Sequence, residues 1–328
     1  MFKKKKEAAP TLVAAESAAK TAVFEPTPEM FEKLDESSKN AEKIAYESKT
    51  YFKDAWERFK QNKLAMVGLI FLAIMIMLCI FVPLFSPYTY DGQDLAHMNE
   101  MSSLAHPMGT DYLGRDLLVR VMMGGRSSLV VGFAAAAISL VIGVTYGGIA
   151  GYCGGKVDMV MQRIQEVANG IPRLVIVTLL LLVLQPGMVT IIFALMLTEW
   201  VGMSRIARAE MLKLKEQEFV LASRTLGAGS FFIIFREVLP NIIGPIITQV
   251  MFSIPTAIFT EAFLSFVGLG IPVPQCSLGS LISEGFNSFT THPYQIIPPI
   301  VVMALLMLSF NLVADGLREA LDPKMKEM

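Results

Sequence analysis

Several long runs of apolar residues constrain this chain more than any other feature of its sequence. A helix that crosses a bilayer needs about 20 consecutive, mostly apolar residues, and it satisfies its backbone groups internally. Runs of this kind lie at 64–85, 127–152, 241–267 and 296–314. Of the 328 residues, 53% are hydrophobic and only 17% are charged, whereas a soluble domain is about one quarter charged. The sequence therefore predicts an all-α, polytopic membrane protein.

The region between the second and third of these runs has two interpretations. Residues 174–198 carry no charge and could form one long helix, but the turn residues QPG at 185–187 favour two helices, at 167–184 and 188–206. Basic residues concentrate in cytoplasmic loops. Five spans would place the basic residues of 205–238 outside the cell. The chain has 28 Lys and Arg residues. With six spans and both termini in the cytoplasm, only Arg115, Arg120 and Arg126 lie outside the cell. We therefore predict six transmembrane helices and two cytoplasmic termini.

The predicted spans define the segments outside the bilayer. Residues 1–50 are rich in Ala, Glu, Lys, Ser and Pro, which is typical of a mobile tail. In 51–63, Phe52, Trp56 and Phe59 recur at helical spacing, which indicates either an amphipathic helix on the membrane surface or an ordinary juxtamembrane linker. The other predicted segments are an outer segment at 86–126, a cytoplasmic loop at 207–240, an outer loop at 268–295 and a cytoplasmic C-terminus at 315–328.

The predicted cytoplasmic loop contains the stretch EFVLASRTLGAGSFFIIFREVLPN at 218–241. Its first part has short helical character, Gly227 and Gly229 permit a turn, and the second part is helical again as far as Pro240. The first helix is short and of mixed polarity, which suits docking into a groove of another protein. The second is apolar, so we expect it to lie against the membrane or under the bundle.

The spacing of this stretch resembles the EAA loop of the permease subunits of ABC importers. That loop reads approximately EAA, three residues, Gly, nine residues, Ile, one residue and Leu-Pro. Here LAS at 221–223 stands in place of EAA, Gly227 follows three residues later, and Leu239 and Pro240 close the pattern. The letters differ from that pattern at three positions, namely Leu221, Ser223 and Glu237.

Further stretches resemble the permeases for oligopeptides and dipeptides, of the OppC and DppC type. The resemblance covers approximately residues 51–323, and the first 50 residues depart from it. Its stretches are NKLAMVGLIFLAIMIMLCIFVPLFSP (62–87), HPMGTDYLGRDLLVRVMMGGRSSL (106–129), GGIAGYCGGKVDMVMQRI (147–164), EAFLSFVGLGIPVPQCSLGSLI (261–282) and FNLVADGLREALDP (310–323).

This resemblance implies a permease of the type I ABC-importer architecture in a bacterial or archaeal cell membrane. Such a subunit forms half of a translocation pathway with a homologous second permease subunit. Two ATPase subunits bind ATP and Mg²⁺, and an extracytoplasmic binding protein delivers the peptide. The chain itself is then neither an enzyme nor a carrier of a cofactor, and it has no nucleic-acid partner. Related permeases move nickel or glutathione. The coupling contact to the ATPase falls on Leu221, Ala222, Ser223, Arg224, Gly227, Leu239 and Pro240.

The residues themselves give no sign of a nucleotide site or of a catalytic site. GGK at 154–156 superficially resembles a phosphate-binding loop, but Ala150 stands where that loop needs its first Gly, and Val157 replaces the Ser or Thr that binds Mg²⁺. Cys79, Cys153 and Cys276 are too far apart for a metal spacing and are expected to be small apolar fillers. Energy for transport must therefore come from elsewhere.

Two acidic residues in the predicted spans support rival hypotheses. Glu199 lies about 16 Å along its helix, near mid-depth, and either serves a translocation cavity or faces an interior space or neighbouring subunit without direct function. Glu261 lies about 30 Å along its helix, at the outer boundary, and is either a gate or cavity residue or merely solvated. An ion-coupled carrier would use such residues, and a membrane scaffold would use neither. Asp111, Arg115 and Asp116 suggest an ordered outer segment held by ion pairs, or a contact with the delivery protein.

Overall fold

The computed structural model describes residues 51–321. The predicted tail at 1–50 and residues 322–328 of the predicted C-terminus lie outside the described residues. Within 51–321 there is no strand, and the single extended pairing joins Thr110 and Asp116. The helices of eight or more residues are α1 (Tyr51–Gln61), α2 (Lys63–Phe85), α3 (Leu117–Cys153), α4 (Gly155–Gly170), α5 (Arg173–Val183), α6 (Met188–Leu214), α7 (Glu218–Thr225), α8 (Ile243–Phe266), α9 (Leu278–Asn287) and α10 (Ile297–Leu321).

Five helical stretches in the described part of the chain are long and apolar enough to cross a membrane. They are Lys63–Phe85, Leu117–Cys153, Met188–Leu214, Ser230–Phe266 and Pro293–Leu321. Each contains most of one of the predicted spans. The all-α, multi-spanning architecture predicted from the apolar runs is therefore confirmed.

The sixth predicted span, at 167–184, is not one helix. Helix α4 ends at Gly170, the chain is extended at Ile171 and Pro172, and α5 begins at Arg173. Helix α4 and residues Leu174–Leu181 of α5 are bent by 75° and make a sixth candidate span only when they are taken together. Proline disfavours helical geometry in the residue before it, which accounts for the break at Ile171. Met188 begins α6, as the QPG turn predicted.

Several helices are longer than the predicted spans. Helix α3 begins at Leu117, ten residues before the predicted start at 127, because the Asp116 carboxylate accepts a hydrogen bond from the Val119 N–H and caps the helix. Its 37 residues extend for about 55 Å, well beyond the roughly 30 Å hydrocarbon core. Arg120 and Arg126, assigned to the outer segment by the sequence, are therefore helical.

The predicted outer loop at 268–295 contains an additional helix, α9. Ser277 caps α9, since its hydroxyl accepts from the Ser280 N–H while the Ser280 side chain accepts from the Ser277 N–H. Helix α9 packs against α3, α8 and α10. Helix α9 was not predicted, because its ten residues are too few for a membrane-spanning helix.

Helices α3 and α6 approach closely because small residues line their contact. Gly143, Gly147 and Gly151 recur every four residues along α3 and face α6. A Cβ atom at Gly147 would lie only 2.1 Å from the Ser204 carbonyl oxygen of α6. Small residues at this spacing let two helix backbones touch.

Candidate functional site

The predicted docking element is a two-turn helix with an unambiguous end. Helix α7 spans Glu218–Thr225, and Gly227 follows with a φ of +85°. The Gly227 N–H donates to the Arg224 carbonyl and the Ala228 N–H donates to the Ser223 carbonyl, both at 3.0 Å. This is the Schellman arrangement, which needs a left-handed residue after the helix and so favours glycine. Both the short helix and the glycine turn were expected from the sequence.

One side chain fixes α7 to the helical bundle. Val220 is fully buried in an apolar cluster with Met203 and Met211 of α6 and with Ile233 and Val238 of the segment that follows. One turn further along the same side of α7, the Arg224 guanidinium lies 5.5 Å from the centre of the Tyr152 ring at the end of α3. Helix α7 therefore lies against the end of α3 and shares an apolar cluster with α6.

The remaining faces of α7 and its turn are open. Leu221, Ala222, Arg224 and Gly227 are exposed, and Ser223 is half-buried. The side chain of Leu226 is 88% exposed, which is unusual for a leucine that closes a helix. The small Ala222 side chain leaves the open face narrow, a shape that a groove in another protein can accept.

Pro240 lies where the chain returns towards α8, and the helical geometry changes around it. Residues Ile233–Val238 form a π-helix and Leu239–Ile242 a 3₁₀-helix. The Leu239 N–H donates to the Ile234 carbonyl, five residues back. Pro240 has no N–H to give the Arg236 carbonyl, and its ring disfavours a regular α-helix. Pro240 is exposed and Leu239 is half-buried in the cluster around Val220.

Glu261 was placed at the outer boundary by the sequence, and simple solvation was the favoured alternative for it. Solvation is wrong, because Glu261 is fully buried in α8. Ser128 of α3 and Ser265 of α8 each donate a hydrogen bond of 2.7 Å to its carboxyl oxygens. Ser128 also accepts from the Leu278 N–H at the start of α9. Glu261 therefore joins three helices through hydroxyl groups.

Glu199 is half-buried in α6, and its backbone carbonyl accepts a 3.0 Å hydrogen bond from Ser139 of α3.

Two apolar cavities lie near these helices. One of about 190 Å³ is lined by residues of α5, α6 and α8, among them Thr198 and Phe263. A groove of about 490 Å³ lies between α3 and α8. The linings of these two spaces include neither Glu199 nor Glu261.

Charged side chains on the predicted outer side form a compact cluster, which we call the charged cluster: Asp111, Arg115, Arg120 and Glu284. Arg115 donates to Asp111 at 2.6 Å, and Arg120 donates to Glu284 of α9 at 2.7 Å and 3.1 Å. The side chain of Arg120 is completely buried. Nearby, His106 Nδ1 lies 2.9 Å from Asp116 Oδ1.

This cluster confirms the expectation that the segment is ordered and held by ion pairs. Gly114 has a φ of +70° and closes a turn in which its N–H donates to the Asp111 carbonyl. The sequence missed Arg120 and Glu284, which are separated by 164 positions. The one available signal was the presence of Arg120 in an otherwise apolar helical run.

Comparison with protein families gives two matches. Residues 143–327 match the family described as "Binding-protein-dependent transport system inner membrane component". Residues 50–107 match the "N-terminal TM domain of oligopeptide transport permease C". Together these matches include α7, its glycine turn and Glu261.

Individual proteins resemble the chain over most of its length. The oligopeptide transport system permease protein OppC of Bacillus subtilis is 45% identical over 298 residues, covering 91% of this chain and 98% of that protein. The dipeptide transport system permease protein DppC of the same organism is 44% identical, covering 91% and 93%. Among solved structures, the inward-facing MetNI methionine ABC transporter matches with a TM-score of 0.52 at 18% identity, covering 63% of this chain and 96% of that one, which shows a shared fold.

Proposed function

The chain belongs to the family of binding-protein-dependent transport system inner membrane components, and from this premise we propose that it is a permease subunit of an ATP-driven peptide importer. The relatives that are 45% and 44% identical to it are named as oligopeptide and dipeptide permeases. The chain forms half of the translocation pathway, and a homologous second permease subunit forms the other half. Both termini lie in the cytoplasm.

The geometry of α7 is the observation that carries this proposal. Its open face, with Leu221, Ala222 and Arg224, is presented by a helix that Val220 fixes to the bundle. An ATPase subunit receives this face in a groove, and a second ATPase subunit receives the equivalent helix of the partner permease. ATP and Mg²⁺ bind to those subunits, and this chain supplies the mechanical contact.

The mechanism follows from how α7 is held. When ATP closes the two ATPase subunits on each other, the grooves move and carry α7 with them. Because Val220 shares an apolar cluster with Met203 and Met211 of α6, and Arg224 lies against Tyr152 of α3, the displacement passes to two spanning helices. These helices share a close, glycine-lined contact, so they move as a unit. The pathway thereby changes from inward- to outward-facing.

Peptides are the substrate class that the relatives favour. A peptide of variable sequence is held mainly by its backbone and termini, so its pathway needs few distinctive side chains and tolerates apolar walls. The cavities between α3, α5, α6 and α8 are apolar in this way. An extracytoplasmic binding protein delivers the peptide to the outer side, where the charged cluster orders the surface.

Substrate competition in the assembled importer tests this assignment. The complex of both permease subunits and two ATPase subunits is reconstituted in vesicles, and uptake of a radiolabelled tripeptide is measured with its binding protein and ATP. Unlabelled di- and tripeptides are expected to abolish uptake. Nickel and glutathione, which related permeases move, are expected to leave it unchanged. Transport of either of these solutes in place of peptides would contradict the peptide assignment.

A further inference from the structure

Helix α1 has more apolar surface than the protein covers. On a helical projection of 100° per residue, its apolar side chains occupy an arc of about 140°. Ala55 and Phe59, in the middle of this arc, are buried, while Phe52 is 56% exposed and Trp56 is 46% exposed. The exposed pair lies on one side of the buried pair. An outward-facing aromatic edge of this kind needs an apolar neighbour.

The position of α1 is fixed by contacts with the rest of the bundle. The Tyr51 hydroxyl donates to the Leu321 carbonyl at the end of α10 at 3.0 Å, and Asn62 donates to Glu319 at 2.7 Å. The Phe59 ring lies against Gly316 of α10, where an added Cβ would approach it to 3.1 Å. Helix α1 is therefore held rigidly at the end of the bundle, and its exposed edge has a defined direction.

The exposed edge is continuous with a membrane-spanning surface. Asn62 is the single residue between α1 and α2, and its side chain caps α2 by accepting from the Ala65 N–H. The first turns of α2 also expose apolar side chains, with Leu64 at 68% and Val67 at 60%. Because α2 is one of the candidate spans, α1 ends at the level where that span meets water.

The charges around the aromatic edge match an interface. Lys53 and Lys60 are exposed at its polar border, and the Lys60 ammonium lies 5.2 Å from the centre of the Trp56 ring. Asp54 is neutralised by a 2.9 Å ion pair with Arg58 on the opposite side of the helix. Aromatic rings flanked by lysines are the side chains that the boundary between headgroups and acyl chains accommodates best.

We propose that Phe52 and Trp56 form a lipid-binding edge that lies in the headgroup–acyl boundary of the leaflet entered by α2, with Lys53 and Lys60 against lipid phosphates. This contact is separate from the transport pathway and from α7. Through Tyr51 and Phe59 it fixes the end of α10 relative to the membrane surface.

Tryptophan fluorescence tests the proposal, because Trp56 and Trp200 are the only two tryptophans in the sequence. The full chain with Trp200→Phe is placed in vesicles whose lipids carry bromine near the headgroup or deep in the acyl chain. We expect Trp56 emission to be quenched at least twofold, and more by the shallow bromines. A control chain with Trp56→Phe, Trp200→Phe and Leu78→Trp, half-exposed on α2, is expected to respond more to the deep bromines. Equal emission of Trp56 in brominated and ordinary lipids overturns the proposal, as does stronger quenching by deep bromines.

A spin label on the same helix keeps the test valid if Trp200→Phe impairs folding. Phe52→Cys and Gln61→Cys are each labelled in a Cys153→Ser chain, since Cys79 and Cys276 are buried. Collisions with oxygen, which is concentrated in lipid, and with a water-soluble nickel complex are compared. The label at 52 is expected to favour oxygen several-fold relative to the label at 61, which lies on the polar side of α1. Equal ratios at both positions overturn the proposal.

Discussion

At the scale of single residues, Arg120 is the most deeply buried member of the charged cluster. Its side chain is wholly buried between Asp111 and Glu284. Removing a buried hydrogen-bond donor leaves its acceptors partly unsatisfied and typically costs about 1–3 kcal/mol. Arg126 lies six residues further along α3 and is exposed, so it offers a control of the same charge.

Arg120→Met is therefore expected to destabilise the protein by about 1–3 kcal/mol, because Asp111 and Glu284 lose the buried charged donor that joins them, while Arg115 still pairs with both. Arg126→Met should change stability by less than about 0.5 kcal/mol. Thermal unfolding of the detergent-solubilised protein, followed by circular dichroism, measures both. A similar decrease in melting temperature for the two variants would show that the cluster contributes no specific stability.

Glu261 shows where residue-level prediction from the sequence stops. Counting residues along α8 placed Glu261 at the outer boundary, but burial depends on what packs around it. Its partner Ser128 lies 133 positions away, and α9, which covers this site, was not foreseen. Helix lengths and apolar runs are local properties and could be read from the sequence. Contacts between polar residues that are far apart in the sequence are not local properties, and they could not be predicted in this way.

At the scale of elements, the hinge between α7 and the segment after it was predictable because glycine and proline act locally. The sequence placed the turn at Gly227 and the break at Pro240, and the structure has a φ of +85° at the first and a π-to-3₁₀ transition at the second. The interruption at Pro172 was missed. The prediction of one helix at 167–184 overlooked the effect of Pro172 on the residue before it, Ile171.

Gly227→Pro is expected to uncouple ATP hydrolysis from transport while the protein still inserts in the membrane. Proline cannot adopt a positive φ and has no N–H to donate to the Arg224 carbonyl, so the end of α7 is lost. Ala222→Trp should have the same effect by widening the face that enters the groove. ATPase rate and peptide uptake are measured together in the reconstituted complex.

Gly229→Ala is the matched control for these variants. Gly229 has a φ of −72° and open space around it, so alanine fits and both activities should be retained. Normal peptide transport by Gly227→Pro or by Ala222→Trp would mean that α7 is not the coupling contact.

The contact between α3 and α6 gives a second prediction at this scale. Gly147→Val places a side chain against the Ser204 carbonyl oxygen, and overpacking of this kind costs about 1–3 kcal/mol. Gly202→Ala in α6 has open space at its Cβ and should be neutral or slightly stabilising, since alanine favours helix. Unfolding in a denaturing detergent compares the two variants. Equal stability would contradict a close α3–α6 contact.

At the scale of the whole molecule, the proposed orientation follows from the distribution of basic residues. It places Cys153, at the end of α3, on the cytoplasmic side. Cys153 is exposed, whereas Cys79 and Cys276 are buried. Burial raises the pKa of the Cys276 thiol to about 11, so at neutral pH only about one molecule in 10⁴ carries the reactive thiolate there.

A membrane-impermeant maleimide is therefore expected to label the chain once, at Cys153, and only in inside-out vesicles. Cys153→Ser should abolish the labelling, and detergent should not add a second site at neutral pH. Mass spectrometry of the labelled peptides identifies the position. Labelling of Cys153 in intact cells would reverse the proposed orientation of every span.

The source of energy is the central claim of the proposed function, which assigns ATP hydrolysis to separate ATPase subunits. The decisive measurement is peptide uptake by vesicles that contain either this chain alone or the complete complex with both permease subunits, two ATPase subunits and the binding protein. Uptake is expected only from the complete complex and only with ATP, and Gly227→Pro should abolish it. Uptake by this chain alone, driven by a proton or sodium gradient without ATP, would contradict the claim and identify an ion-coupled carrier.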